Sequence, residues 1–252
     1  MEIKEALFEY VLRIGDNALI LGHRVSELCG RGPSLETDIG LTNIALDLVG
    51  HARVLLQYAA EVEGKGRTDD DLAFMRDIRE FKNVLLVEQP NGNFANTIAR
   101  QFLFDTFNYH FFAALTNSKD ESLVGIAKKA IKELNYHYRY SAEWVIRLGD
   151  GTEESHQKMQ DALNEAWDYA GELFVADEVE ETMLAEGIGV DLKAIKVLWE
   201  ERVTEVLKEA TLDKPKDAWV QKGGKQGKHS EQMGFVLAEM QWMQRAYPNM
   251  DW

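Results

Sequence analysis

Lys132-Glu-Leu-Asn-Tyr-His137 sits in the middle of a long amphipathic run from Glu121 to Leu148. Asp120 stands where a helix N-cap belongs, and Gly149-Asp-Gly151 ends the run, so the stretch reads as one uninterrupted helix. It carries an acid and a histidine on one side, and the residue three before His137 is Leu134. The acid, Glu133, stands one place earlier.

Outward from this helix the same 3.6-residue periodicity covers nearly the whole chain, which has four prolines in 252 residues and no convincing strand. A first helix is predicted from about Glu2 to Leu28, with Leu7, Tyr10, Val11, Ile14, Ala18, Leu21, Val25 and Leu28 on one stripe, ending at Gly30-Arg-Gly-Pro33. Ser34 or Thr37 caps a second, which carries Ile39, Leu41, Ile44, Leu48, Val49, Ala52 and Leu55 and stops at Gly64-Lys-Gly66. Thr68 before three aspartates starts a short helix to about Arg76. Asn93 then caps a third long helix, Phe94 to about Asn117, aromatic on several sides and expected to be central. Four long helices, with one long connection from Gly64 to Asn93, predict an all-α, ferritin-like four-helix bundle with a crossover. Further helices are expected at about Glu153–Phe174, Asp177–Ala185, Asp191–Thr211 and Ser230–Ala246. No low-complexity linker separates them, so we expect a single domain over 1–252, with the core bundle at about 2–149 and the C-terminal helices, about 153–246, packed on it.

Composition narrows the function. Apolar residues make up 45% of the chain, enough for a substantial core, and a formal charge of −15 disfavours binding to a phosphate backbone. Apolar runs are short and broken by charge, and the acidic start lacks the features of a signal peptide, so a cytoplasmic protein without a membrane span is expected. One cysteine, Cys29, forms no disulfide or cysteine-based metal site within one chain and reads as a small buried residue. The tryptophans, from Trp144 to Trp252, read mostly as core or interface anchors.

Di-iron carboxylate bundles place one acid on each of two helices and a Glu-x-x-His pair on each of the other two. The second and fourth helices here supply His51 and His137, but Leu48 and Leu134 hold the positions three before them, while Asp47 and Glu133 stand four before. That one-residue change moves the acid from about 60° on one side of its histidine to about 40° on the other. The third helix adds Asp105 and His110, and the first adds Asp16 and Glu27 as single acids. A two-metal site needs four carboxylates and two histidines, so Asp16, Asp47, His51, Asp105, Glu133 and His137 read as a vestigial set satisfying one another inside the bundle, with no metal expected. A self-sufficient di-iron or di-manganese oxidoreductase is the competing reading, and a metal-storage bundle a third.

Longer stretches carry a resemblance. Pro33-Ser-Leu-Glu-Thr-Asp-Ile-Gly-Leu-Thr-Asn-Ile-Ala-Leu-Asp-Leu-Val-Gly-His51, Val87-Glu-Gln-Pro-Asn-Gly-Asn-Phe-Ala-Asn-Thr-Ile-Ala-Arg-Gln101, Gly223-Gly-Lys-Gln-Gly-Lys-His-Ser-Glu231 and Leu237-Ala-Glu-Met-Gln241 resemble the structural-subunit branch of the phenylacetic acid degradation proteins. The members of that branch belong to the bacterial phenylacetyl-CoA epoxidase, a multicomponent monooxygenase. Its related catalytic chain has Asp-Glu-x-Gly-His where this chain has Asp47-Leu-Val-Gly-His51, so a metal-ligand glutamate falls on Leu48. The resemblance implies a ferritin-like fold with no catalytic residue and no cofactor in this chain. It also implies a di-iron centre in the homologous catalytic chain, with a further small subunit of the complex and an iron-sulfur flavin reductase completing the assembly.

One basic stretch remains. Lys222, Lys225, Lys228 and His229 lie in a glycine-rich loop that leads into a helix capped by Ser230. They are candidates for contact with an acidic partner surface or with the phosphates of phenylacetyl-CoA, against the plainer reading of a solvated loop docked by its glycines.

Overall fold

The close approach of two antiparallel helices at glycines sets the first half of the architecture. In this computed structural model, which describes residues 1–216, 219–248 and 250, α1 (Ile3–Ser26) packs along α2 (Leu35–Glu63). Gly15 lies against Leu55 and Leu56, and Gly22 against Leu48 and Val49; an added Cβ would stand only 3.0 Å from Leu56 and 3.1 Å from Val49. α1 stops at Ser26, short of the expected Leu28, because a tightened turn follows in which the Leu28 N–H reaches the Val25 carbonyl. Ser34 caps α2 by accepting from the Thr37 N–H, and Gly64, with φ of 70°, closes its far end.

α5 (Phe94–Leu115) and α6 (Glu121–Gly149) form the second pair. Asn93 and Asn96 cap α5 reciprocally, and the Asp120 side chain accepts from Leu123 N at the start of α6. Phe102, Phe104 and Phe112 are almost fully buried, which makes α5 the central helix, as its aromatic sequence predicts. Each such ring contributes roughly 1.5–3 kcal/mol through burial. Between the pairs runs the crossover: α3 (Asp69–Phe74), a 3-10 turn at Ile78–Glu80, and α4 (Leu85–Glu88).

Beyond the bundle, α7 (Glu153–Ala170) lies on α5 and α6, α8 (Glu178–Ala185) on α1, and α9 (Leu192–Glu209) on α5 and α6. The expected fifth helix to Phe174 changes at Gly171 into a 3-10 turn. Trp199 of α9 donates its indole N–H to the Leu103 carbonyl at 2.9 Å, and it and Trp167 are buried, whereas Trp219 and Trp242 are exposed and anchor no core. Trp252 lies outside the described residues. Cys29 is exposed as well, because it falls in the loop after α1 and not on its buried stripe. α10 (Glu231–Ala246) packs on α3, α4 and α1. The described residues contain helices and no strand, so the all-α reading holds.

Candidate functional site

α2 and α6 run antiparallel, and their two acid–histidine pairs meet crosswise. Asp47 accepts from Nε2 of His137 at 2.9 Å, and Glu133 accepts from Nε2 of His51 at 2.6 Å. Each acid therefore binds the histidine of the opposite helix. A carboxylate only accepts, so both imidazoles carry a proton on Nε2. Both Nδ1 atoms are buried without a hydrogen-bond partner. Burial holds His51 below its ordinary value of 6.5, against the pull of Glu133.

Leu48 and Leu134 are fully buried and fill the interior positions next to these pairs. Asp105 enters from α5 and is buried, with neither carboxylate oxygen hydrogen-bonded. Burial raises it to about 6, opposed by His137, Ser141 and Arg100; the Ser141 hydroxyl gives its proton to the His137 carbonyl.

The remaining candidates are engaged elsewhere. Asp16 receives the Arg76 guanidinium and the Lys82 N–H, and Glu27 receives Arg24 and Asn91. His110, lowered by burial, lies beside Tyr109, and its Nε2 is unpartnered. Among the described residues no group of three or more His, Cys, Asp and Glu side chains is arranged to hold a metal ion. The donor set does not fit a two-metal centre: two acids face the opposite histidines, two inward positions are leucine, and Asp16 neutralises an arginine.

A cavity of about 40 Å³ reaches His51 between Tyr10, Asn17, Phe104, Asn108 and Phe112. It has room for a few waters, against the ~300–1,000 Å³ of a typical ligand pocket.

The glycine-rich loop departs from its expected role. The N–H groups of Gly223 and Gly224 donate to one oxygen of Glu172 at 2.7 and 2.9 Å, and Leu85 N donates to the other at 2.7 Å. His229 donates from Nδ1 to Glu88 at 2.8 Å and from Nε2 to the Phe81 carbonyl at 3.0 Å. Both contacts favour an N–H on the ring nitrogen that faces them, so the site favours the imidazolium form of His229. Burial opposes that charge, but Glu88 and the Phe81 carbonyl outweigh it and raise the group above its ordinary value. Lys225 is buried on Glu180 at 2.9 Å and on the Val175 carbonyl. The loop thus does bind anions, but those anions are the chain's own carboxylates. Lys225 and His229 are correspondingly withdrawn from any outside contact, while Lys222 and Lys228 stay exposed. Ser230 does not cap α10 through its side chain; its N–H instead donates to Glu88 at 2.7 Å.

Acids distant in sequence are what the sequence reading missed here. Glu88 stands inside the quoted Val87–Gln101 stretch, and the Gly-Gly pair ahead of His229 was the available sign of a backbone anion cradle.

Similarity now decides the family. The phenylacetic acid catabolic protein family matches residues 1–252. The chain belongs to this family. The C subunit of the 1,2-phenylacetyl-CoA epoxidase of Escherichia coli (strain K12) is 50% identical over 246 residues, covering 98% of this chain and 99% of that one. The resemblance noted in the sequence is therefore borne out over 99% of that relative, and two of its quoted motifs meet in space: His229 of one binds Glu88 of another. Within the family fold, α2 is long and apolar enough to cross a bilayer by composition, in contrast to the sequence reading, but half of that window is buried in the bundle.

Proposed function

We propose that this chain is a non-catalytic structural subunit of a phenylacetyl-CoA epoxidase in aerobic phenylacetate catabolism. It pairs with a homologous di-iron subunit that performs the chemistry. The crosswise bonding of Asp47 to His137 and Glu133 to His51 carries this reading, because it turns a metal-type acid–histidine set into a brace between two helices. Likeness to a protein named as the C subunit of such an enzyme supports the assignment. A further small subunit of the complex and an iron-sulfur flavin reductase complete the assembly, which works in the cytoplasm, with electrons delivered to the partner's iron.

Co-expression with the homologous di-iron chain tests it. The expected result is a stable complex in which ring epoxidation requires both chains and the iron follows the partner. A stoichiometric iron pair in the isolated chain, with turnover of phenylacetyl-CoA by that chain alone, would overturn it in favour of a self-sufficient di-iron oxidoreductase.

A further inference from the structure

Buried cations in this chain come with carboxylates: Arg13 binds Asp177 and Glu180, Arg24 binds Glu27, Arg76 binds Asp16 and Lys225 binds Glu180. Among the described residues Arg100 is the exception. It is 2% exposed, its Nη1 donates to the Gln89 carbonyl at 2.6 Å and its Nη2 to Oδ1 of Asn91 at 2.8 Å, and both acceptors are neutral. Nε is buried with no partner at all. A guanidinium carries five N–H donors in a flat fork, so most of its capacity, and all of its charge, is left without an anion. Burial, with Arg24 nearby, pushes Arg100 down to about 9, and an isolated buried charge is costly to keep.

Arg100 also lines a cleft of about 480 Å³ between α5, α7 and the loop after α4. Ala162 and Ala166, one turn apart on α7, make room for it, and Tyr169 continues the same row of that helix. Leu86 and Pro90 supply apolar wall from the other side. The volume falls within the ~300–1,000 Å³ of small-molecule sites, which combine apolar walls with a few polar groups. Glu165, which accepts from Asn96 at 2.9 Å, and Asp168 belong to the lining as well, but Glu165 is exposed and Asp168 half-buried. Water screens such acids more than it screens the buried guanidinium. A ligand with several negative charges would still be repelled by both acids and by the chain's net charge of −15, so a single carboxylate suits the cleft better than a phosphate.

We propose that this cleft binds a small monocarboxylic acid with an apolar body, the carboxylate on Arg100 and the body against Tyr169 and the Ala162–Ala166 step. Bound there, the acid supplies the counter-charge that Arg100 lacks and ties together α5, α7 and the loop at Gln89 and Asn91. The site is separate from the Asp47–His137 brace, and it does not depend on the pairing reading above.

The test titrates the purified full chain with sodium benzoate, sodium hexanoate, inorganic phosphate and benzyl alcohol, by calorimetry and by NMR of the arginine Nε–H groups. At least one of the two carboxylates is expected to bind once per chain and to move the Arg100 Nε–H resonance. Phosphate should bind at least tenfold more weakly, and benzyl alcohol, which has the ring without the charge, should leave that resonance in place. Ala166→Phe fills the cleft without touching the guanidinium, and it should weaken carboxylate binding at least tenfold while the chain melts as wild type does. Arg100→Gln should abolish binding; because it also removes two hydrogen bonds of the fold, Ala166→Phe decides the matter if that variant does not fold. Failure of both carboxylates to bind, binding that leaves the Arg100 resonance unmoved, or undiminished binding by Ala166→Phe overturns the assignment. Phosphate binding as tight as that of the carboxylates overturns it in favour of an inorganic-anion site.

Discussion

His137 on α6 and Asp47 on α2 are joined through Nε2 at 2.9 Å, and the acid one turn before His137 on its own helix makes the mirror bond to His51. The two helices are therefore tied twice, at adjacent turns, by groups of the types a metal site uses. The brace is unequal in exposure. His137 is fully buried, whereas Asp47 and Glu133 are 30% and 48% exposed, so solvent screens the acids and the histidines bear the cost of loss.

Replacing His137 with alanine removes a buried ring and leaves Asp47 to water. A loss of about 2–4 kcal/mol in urea unfolding is expected, against about 1 kcal/mol or less for Asp47→Asn, which keeps an acceptor in a half-wet position.

Asp105 tests the interior from the opposite direction. Its folded value of about 6 lies above the ordinary 3.8, so the folded state favours the protonated acid. Below pH 3.8 the group is neutral in both states; as pH rises from there through 6, folding loses stability. Asp105→Asn should match wild type at low pH and exceed it above pH 6, by roughly 1–3 kcal/mol. Chemical denaturation at a series of pH values reads the difference directly.

His229 has the reverse sign. A histidine held above 6.5 by Glu88 contributes stability that is fully present below pH 6.5 and lost as pH rises through the folded value. His229→Gln should be most destabilising near pH 6 and least near pH 9, and the NMR titration of the imidazole should report a midpoint above 6.5.

Glycines give opposite outcomes at two sites. At Gly224 an added Cβ would stand 2.2 Å from the Asn83 carbonyl, so Gly224→Ala should cost several kcal/mol or detach the loop. At Gly50 nothing is within 4 Å, and Gly50→Ala should raise the free chain's stability by about 0.5–1 kcal/mol. Thermal melts of the two variants give both signs.

Leu48→Glu with Leu134→Glu restores acids three before each histidine, at two fully buried positions. Iron binding by the folded double variant, detected by elemental analysis, is the outcome expected of a site that lost its metal through these two leucines. A folded variant without iron would refute that origin. Each new carboxylate buried alone costs several kcal/mol, so unfolding is measured alongside.

Helices were legible because their apolar period, caps and terminal glycines agree with one another at Ser34, Gly64, Asn93 and Asp120. The acid–histidine set was legible as residues but not as bonds. Spacing from Asp47 to His51 puts both on the α6 side of α2, yet only the antiparallel neighbour decides that the acid reaches across to His137. The basic loop was least legible. Counting Lys222, Lys225, Lys228 and His229 gives a positive segment, but Glu180 and Glu88, which neutralise two of the four, lie far away in sequence. Long-range pairing of buried charge leaves no local pattern.

The meeting of His229 with Glu88, and of Gly223 and Gly224 with Glu172, has a consequence for biosynthesis. Translation proceeds from the N-terminus, so the crossover carboxylate leaves the ribosome long before its imidazolium does. Until residue 229 emerges, Glu88 lacks its His229 and Ser230 donors, and Glu172 waits for the backbone of the loop. The first half of the nascent chain can form its helices early, but the finished interior closes only when the tail is released. Arrest of translation just before Gly223 should yield a nascent chain digested readily at the crossover, whereas the released chain should resist.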